Sequence, residues 1–163
     1  MPPRKNKSFI EVVSGLPFLT SLKKLEFYPP FYLMGVKFLH VSKDSRKLHA
    51  RLPLKWYSRN LNGTMFGGNM ASLADPLPAV MCGIIFPGTT VWSKEVHIEF
   101  IRPGSTDLDM YIEITDAHIE KIRKDLDESG RSDPEFTFYY FDKSGTKVAK
   151  VRNVASVRKN KKV

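Results

Sequence analysis

The sequence predicts an α+β domain in which one buried helix is covered by a mostly antiparallel sheet. Three features carry this prediction. Residues 67–86 are apolar nearly all round at helical spacing, which is typical of a buried helix. Residues 91–101 alternate between polar and apolar side chains, as a half-buried strand does. The run Lys143, Ser144 and Gly145 between two β-rich segments indicates a hairpin turn.

The composition is typical of a globular domain. The chain has 163 residues, of which 42% are hydrophobic, and this length can bury a substantial core. We therefore expect a single domain over residues 1–163. Cys82 is the only cysteine, so no intrachain disulfide can form, and we expect a reducing, cytoplasmic location. Prolines interrupt every early apolar stretch, which argues against a signal peptide or a membrane-spanning helix.

The net charge of +9 is concentrated near the two ends of the chain. Seven of the 26 basic residues lie there, and the remaining 19 nearly balance the 17 acidic residues. Such basic tails are either simply solvated or attracted to a polyanion such as coenzyme A phosphates, RNA or an acidic lipid surface. No zinc-finger spacing or RNA-recognition motif supports a nucleic-acid partner. The tail residues are Arg4, Lys5, Lys7, Arg158, Lys159, Lys161 and Lys162.

The first part of the chain is predicted to supply an N-terminal helical segment and two strands. Residues 8–26 carry apolar stripes at helical spacing, and a Gly-Leu-Pro sequence splits them into two short helices. After a Pro-Pro pair, residues 31–41 and 47–54 are interpreted as strands, and residues 60–63 as a loop.

The buried helix is expected to be interrupted near Asp75, because Pro76 and Pro78 are unfavourable in a helix interior. Four strands and a helical insertion are predicted to follow. These elements are strands at 91–101, 108–114, 135–141 and 147–158, and a helix capped by Thr115 or Asp116 that carries Ile119, Ile122 and Leu126.

The glycine pair that begins the buried helix belongs to a recurring motif. Asn60 precedes Gly67 by seven positions and Asp75 follows it by eight. This arrangement resembles the hot-dog thioesterases, and among them the phenylacetyl-CoA thioesterase (PaaI-like) group. Residues 28–157 are similar, more closely still, to an uncharacterised hot-dog family. The residues shared with that family's motif are Arg59, Asn60, Gly63, Thr64, Phe66, Gly67, Gly68, Asp75, Pro76, Val91, Trp92, Lys94, Glu99, Phe100, Pro103 and Gly104.

The resemblance implies a hot-dog fold, in which a long central helix is wrapped by a mostly antiparallel sheet. It also implies an acyl-CoA thioesterase that works as a homodimer or homotetramer, with no cofactor beyond the coenzyme A of its substrate. Hot-dog thioesterases place a histidine directly before the glycine pair, and the nearer relatives often have one a position earlier. Phe66 and Met65 occupy these positions here. An acyl-CoA or fatty-acyl binding protein without hydrolysis therefore remains an alternative.

Gly67 and Gly68 are candidates for an oxyanion hole. Backbone amides in the first turn of a helix have no intrahelical acceptor and carry the positive end of the helix dipole. Without a Cβ, a substrate carbonyl can approach them closely, and such a donor contributes roughly 3 kcal/mol in other enzymes. The alternative is that the glycine pair only permits a tight turn or close packing of the helix on the sheet.

Asp75 is the candidate nucleophile or general base. Its alternative role is the N-cap of a helix that restarts at Pro76. Eight helical residues separate Gly67 from Asp75 by roughly 12 Å, which is too far for both to touch one carbonyl. We therefore predict that Asp75 faces Gly67 of a second subunit across a twofold axis.

Four further residues are candidates for this site. Asn60 either hydrogen-bonds the thioester or holds its own loop. Ser93 matches a position where the hot-dog thioesterases keep a Ser or Thr that orients water, although a strand serine is often only a small polar residue. Arg102 and Arg152 are candidates for binding the coenzyme A phosphates, from their charge alone.

No metal site is predicted. Glu95, His97 and Glu99 share one face of their strand with Ser93, but Glu95 and Glu99 are about 13 Å apart, too far for one ion. Cys82 lies in the buried helix without a histidine partner, which favours packing over a nucleophilic role.

Overall fold

The computed structural model describes residues 22–160. The predicted helical segment at 8–26 lies mostly outside that range, and its described end is a 3-10 helix at Lys23–Phe27. The helices are α1 (Pro29–Met34), α2 (Gly67–Ala74), α3 (Pro76–Ile85) and α4 (Asp116–Ser129), with a second 3-10 turn at Trp56–Ser58. The strands are β1 (Lys37–Val41), β2 (Lys47–Leu52), β3 (Thr89–Phe100), β4 (Leu108–Glu113), β5 (Arg131–Ser132), β6 (Glu135–Phe141) and β7 (Lys147–Lys159).

The seven strands form one antiparallel sheet in the order β1-β2-β4-β6-β7-β3, and the short β5 pairs with β7. The central helix, made of α2 and α3, packs on the inner face of this sheet against β3 and β7. This is the α+β arrangement that the sequence predicts. Among the described residues, no helix combines the length and apolarity needed to span a bilayer.

The core lies between the central helix and the sheet. Leu73 and Met81 of the helix are fully buried, and the buried Tyr140 Oη of β6 donates a hydrogen bond to Met70 O at 2.8 Å. Cys82 is also fully buried, and burial raises the pKa of its thiol to about 12. The thiol therefore stays protonated at neutral pH, which agrees with a packing role.

Residues 31–41 are not one strand, and this prediction is wrong. The segment Pro29–Met34 forms α1, and the Pro-Pro pair occupies the first helical positions, where a missing N–H costs nothing. Gly35 ends the helix with φ 70°, and its amide donates to the carbonyls of Phe31 and Tyr32. The strand begins only at Lys37. A proline pair followed by a glycine thus outweighed the β propensity of the aromatic residues between them.

The central helix is interrupted at Asp75, as predicted. The backbone of Asp75 is nevertheless helical (φ −59°, ψ −60°), and its amide donates to Ala71 O at 2.9 Å. Asp75 occupies the N-cap position of α3, with Pro76 at the first helical position, but its side chain makes no capping hydrogen bond. Because Pro78 has no N–H, the carbonyl of Ala74 loses its usual helical donor.

A β-bulge at Lys94 changes which side chains of β3 face the helix. Ser93 pairs with Ala155 and Glu95 with Val154, so one residue of β3 has no partner on β7. The prediction that Ser93 and Glu95 share a face is therefore wrong. Ser93 faces the central helix, and Glu95 lies on the outer face.

Asp133 anchors the outer side of this bulge. Its carboxylate accepts hydrogen bonds from Arg158 Nη1 at 2.7 Å, from Lys94 Nζ at 3.1 Å and from Ser156 Oγ at 3.1 Å. The bond from Arg158, followed by those from Lys94 and Ser156, lowers the pKa of Asp133 to about 2.

This pKa predicts a pH dependence of stability. Because the folded-state pKa of Asp133 lies below its ordinary value of about 3.9, its contribution is present above about pH 4 and is lost as the pH falls toward about 2. Asp133→Asn should therefore lower the free energy of unfolding at neutral pH, and its difference from wild type should shrink over that window. Denaturant unfolding at a series of pH values measures this. The control is Asp127→Asn, whose carboxylate is 79% exposed, and a pH-independent difference for Asp133→Asn would contradict the argument.

Candidate functional site

The start of α2 presents backbone amides without acceptors. Phe66, just before the helix, donates its N–H to Ser58 O at 2.9 Å, and its carbonyl accepts from Asn69 N at 3.0 Å. The backbone that leads into the helix is thus fixed. Among residues 22–160, no acceptor takes a hydrogen bond from the amides of Gly67 and Gly68, so both N–H groups are available to a ligand.

Two phenyl rings show why both positions are glycine. A Cβ on Gly67 would lie 2.9 Å from Phe100 Cζ, and a Cβ on Gly68 would collide with the ring of Phe66. The side chains of Phe66 and Phe100 are 52% and 57% exposed. The close-packing role of the glycine pair is therefore present, and it is compatible with the oxyanion role because the same rings form an apolar wall beside the amides.

Gly67 lines a groove of about 500 Å³, here called the amide groove, together with Asn60 and Arg102. Gly68 does not line it. Asn60 Oδ1 accepts hydrogen bonds from Asn62 N at 2.9 Å and from Thr64 N at 3.1 Å, which is the loop-holding role. Arg102 is exposed, and within the described part of the chain it forms no ion pair.

Asp75 and Ser93 line a second groove of about 450 Å³, here called the carboxylate groove, between α3 and the start of β3. Asp75 is exposed. Its carboxylate forms neither a hydrogen bond nor an ion pair with any residue between 22 and 160. Gly67 and Asp75 of one chain therefore belong to different grooves, in agreement with their predicted separation along the helix.

Asn153 is a residue of the carboxylate groove region that the sequence analysis missed. Its side chain is fully buried, and Nδ2 donates to Asp75 O at 2.9 Å and reaches Ser93 Oγ at 3.2 Å. The same Nδ2 lies 3.4 Å from Ala74 O, the carbonyl that Pro78 leaves without its helical donor. Asn153 thus ties the interrupted helix to Ser93. The sequence offered one indication of this role, which is a single amide side chain within the mostly apolar strand at 147–158.

Removing the Asn153 amide should destabilise the fold. We expect Asn153→Ala to lower the free energy of unfolding by about 1–3 kcal/mol, because buried carbonyls lose their donor. Asn160→Ala is the matched control, since Asn160 is exposed and, among residues 22–160, its side chain accepts a hydrogen bond only from Thr90. Its effect should stay within about 0.5 kcal/mol. Chemical denaturation measures both, and equal effects of the two substitutions would refute the role given to Asn153.

Arg152 lies on the outer face of the sheet and lines neither groove. Its guanidinium donates to Glu135 Oε2 at 2.9 Å and to Glu95 Oε2 at 3.2 Å, and Glu135 followed by Glu95 raises its pKa. His97 and Glu99 are exposed on the same face. Within the described part of the chain, no group of three or more His, Cys, Asp or Glu side chains is arranged to hold a metal ion.

The two grooves lie at opposite ends of β3, the last strand of the sheet. Val91 to Ser93 at its start line the carboxylate groove, and Phe100 at its end lines the amide groove. β3 pairs with β7 along one edge, and among residues 22–160 no strand pairs with its other edge. Trp92 near the start of β3 and Ile101 directly after its end are 47% and 45% exposed. An open edge of this length is a surface to which another strand can be added.

Comparison with solved structures identifies the fold class. A Pseudomonas aeruginosa protein of unknown function, described as a probable thioesterase, is similar with a TM-score of 0.77 at 19% identity, over 87% of this chain and 97% of that one. A Haemophilus influenzae thioesterase gives 0.65 at 13% identity, over 85% and 89%. A Chlorobaculum tepidum protein of unknown function gives 0.69 at 14% identity, over 92% and 96%. The chain therefore has the hot-dog fold, with a 19-residue central helix against an antiparallel sheet.

Within this class, the chain belongs to the family described as domain of unknown function DUF4442, which matches residues 19–157. No curated protein matches the sequence.

Proposed function

We propose that the protein hydrolyses acyl-coenzyme A thioesters at a site formed between two copies of the chain. The observation that carries this proposal is the position of the two grooves at opposite ends of the open edge of β3. Antiparallel pairing of two β3 strands about a twofold axis sets the start of one strand beside the end of the other. Gly67 of one copy then lies near Asp75 of the second. The likeness to thioesterase structures supports a thioester substrate.

The chemistry follows from the groups in the two grooves. The Gly67 amide donates a hydrogen bond to the thioester carbonyl oxygen as negative charge develops there. Asp75 of the second copy takes a proton from a water molecule whose oxygen bonds to the carbonyl carbon. The carbon–sulfur bond then breaks, and the coenzyme A thiolate accepts the proton, so the products are a free acid and a thiol. We assign the orientation of this water to Ser93, whose Oγ lies 3.2 Å from Asn153 Nδ2.

Asp75 can also act as the nucleophile. Its carboxylate would then bond to the carbonyl carbon and expel the thiolate, and water would hydrolyse the resulting anhydride. Both routes need the same arrangement of a carboxylate opposite the Gly67 amide. Gly67 is preferred to Gly68 as the donor because only Gly67 lines the amide groove.

Arg102 is the preferred contact for the coenzyme A phosphates. It lines the amide groove, is exposed and forms no ion pair with a described residue. Arg152 has two carboxylate partners on the outer face of the sheet, which would have to be displaced before it could bind a phosphate. A guanidinium without such competition is the better anion ligand.

A second candidate function is acyl-CoA binding without hydrolysis. All four histidines lie in the described part of the chain, and none of them lines either groove. Phe66 occupies the position where the hot-dog thioesterases place a histidine, and Met65 the position where the nearer relatives often have one. Neither side chain can donate a hydrogen bond to a thioester, so the same grooves would hold the ligand without cleaving it.

Hydrolysis separates the two functions. We expect the protein to release thiol from members of a panel of short, long and aryl acyl-CoAs, and Asp75→Asn to lower kcat by on the order of 10²- to 10⁴-fold, because the base is lost. A spectrophotometric thiol assay measures this, and Asp127→Asn should keep the wild-type rate. No turnover above blank across the panel, or an unchanged rate for Asp75→Asn, would refute the hydrolase. Calorimetric binding without turnover would support the second function.

Mixing two inactive variants tests whether the site lies between subunits. Asp75→Asn and Arg102→Glu each damage one groove, so each homodimer should be impaired. A mixed dimer should contain one undamaged site, because its intact Asp75 and intact Arg102 come from different chains. After dissociation and reassociation of the mixture, we expect recovery of about one quarter of wild-type activity for random pairing. No recovery, with mixed dimers demonstrated by mass spectrometry, would place both groups in one chain.

A further inference from the structure

An exposed aromatic surface lies on α1 and the Trp56–Ser58 turn. It consists of Tyr32, Leu33, Trp56 and Tyr57, and is here called the Trp56 surface. The exposed fractions of Trp56, Leu33 and Tyr32 are 85%, 73% and 68%. These side chains line a groove of about 680 Å³ that shares no lining residue with the amide groove or the carboxylate groove.

Local contacts order the turn that carries Trp56 and Tyr57. Ser58 Oγ donates to Pro53 O at 2.9 Å and accepts from Lys55 N at 2.7 Å. The rings of Trp56 and Tyr57 are in edge-to-face contact, with their centroids 5.5 Å apart. Trp56 and Tyr57 are therefore carried by an ordered turn, and Tyr32 and Leu33 by the adjacent helix α1.

The charged side chains carried by the segments that build the Trp56 surface are all basic. Lys55 and Arg59 flank the turn, both are exposed, and within the described part of the chain neither forms an ion pair. The two segments that build the surface, residues 27–36 and 52–74, contain no Asp or Glu. Asp107 touches this region, but its carboxylate accepts a hydrogen bond from Leu54 N at 2.8 Å. The cations thus remain available to an anionic partner.

We propose that the Trp56 surface binds the interface of an anionic lipid bilayer. Trp and Tyr rings are enriched at the boundary between bilayer and water, because each has an apolar body and a polar group. Leu33 supplies an aliphatic side chain for insertion, and Lys55 and Arg59 supply attraction to anionic head groups.

A lipid surface fits these residues better than a protein partner does. Three neighbouring side chains project with more than two thirds of their surface in water, and a fluid interface accepts such projections without a complementary pocket. The two unpaired cations match a surface of negative charge. The proposal is independent of the hydrolase, because none of its residues lines the grooves assigned to catalysis.

Co-sedimentation with vesicles tests the proposal. The full chain should bind vesicles of phosphatidylglycerol in phosphatidylcholine more tightly than vesicles of phosphatidylcholine alone. Leu33→Ser with Trp56→Ser should abolish most of the binding, and Lys55→Glu with Arg59→Glu should weaken it by on the order of tenfold or more. The matched control is Lys43→Glu with Lys143→Glu, which changes the net charge equally at exposed turns elsewhere and should have a much smaller effect. No binding, or equal losses for the two charge-reversal pairs, would overturn the proposal.

The fluorescence of Trp56 shows whether this surface itself enters the bilayer. In Trp92→Phe, Trp56 is the only tryptophan, and we expect a blue shift with anionic vesicles and quenching by brominated lipid. An emission that is already blue-shifted in buffer and unchanged by vesicles would show that another part of the protein contacts the bilayer.

Sedimentation velocity provides the last test. Loss of the wild-type oligomer in Leu33→Ser with Trp56→Ser would assign the surface to a second copy and overturn the proposal.

Discussion

The arrangement around the candidate site depends on one buried amide, that of Asn153. Two prolines interrupt the hydrogen bonds of the central helix inside an apolar core, where an unpaired carbonyl is costly. Asn153 Nδ2 lies within hydrogen-bond distance of the carbonyls of Ala74 and Asp75 and of Ser93 Oγ. The contact thereby fixes the helix to β7 at the point where the Asp75 carboxylate leaves the core. The same hydrogen bonds of Asn153 therefore stabilise the interrupted helix and fix the geometry of the carboxylate groove.

The sequence predicts those parts of the fold that have a local period. The buried helix, β3, β4, β6 and β7 were found because their apolar spacing is long and regular. The strand predicted over residues 31–41 is wrong over its first part, because the aromatic residues there favour a strand and only the preceding proline pair and Gly35 indicate a short helix. The bulge at Lys94 leaves no local trace, since its side chain is held by Asp133 from a distant segment. The two-residue β5 is too short to carry a pattern.

The candidate site was predicted less completely, for a related reason. The motif identified Asn60, Gly67 and Asp75, but it could not say which groups share a groove. Charge alone proposed Arg102 and Arg152 equally, and only the fold shows that Arg152 has two carboxylate partners. No local sequence pattern marks the role of Asn153, because the groups it contacts lie about 60 to 80 positions away in the chain.

Because the proposed site has no histidine, catalysis there depends on the Asp75 carboxylate and the Gly67 backbone amide. The ring of Phe100 lies against Gly67 and that of Phe66 against Gly68, and apolar surroundings strengthen the interaction of an N–H group with a developing oxyanion. An apolar wall therefore offsets part of what a histidine donor would supply. It cannot transfer a proton, so the proton must move through Asp75. Since Asp75 and Gly67 lie in separate grooves of one chain, a monomer would hold two incomplete half-sites, and hydrolysis would depend on the concentration at which two copies pair.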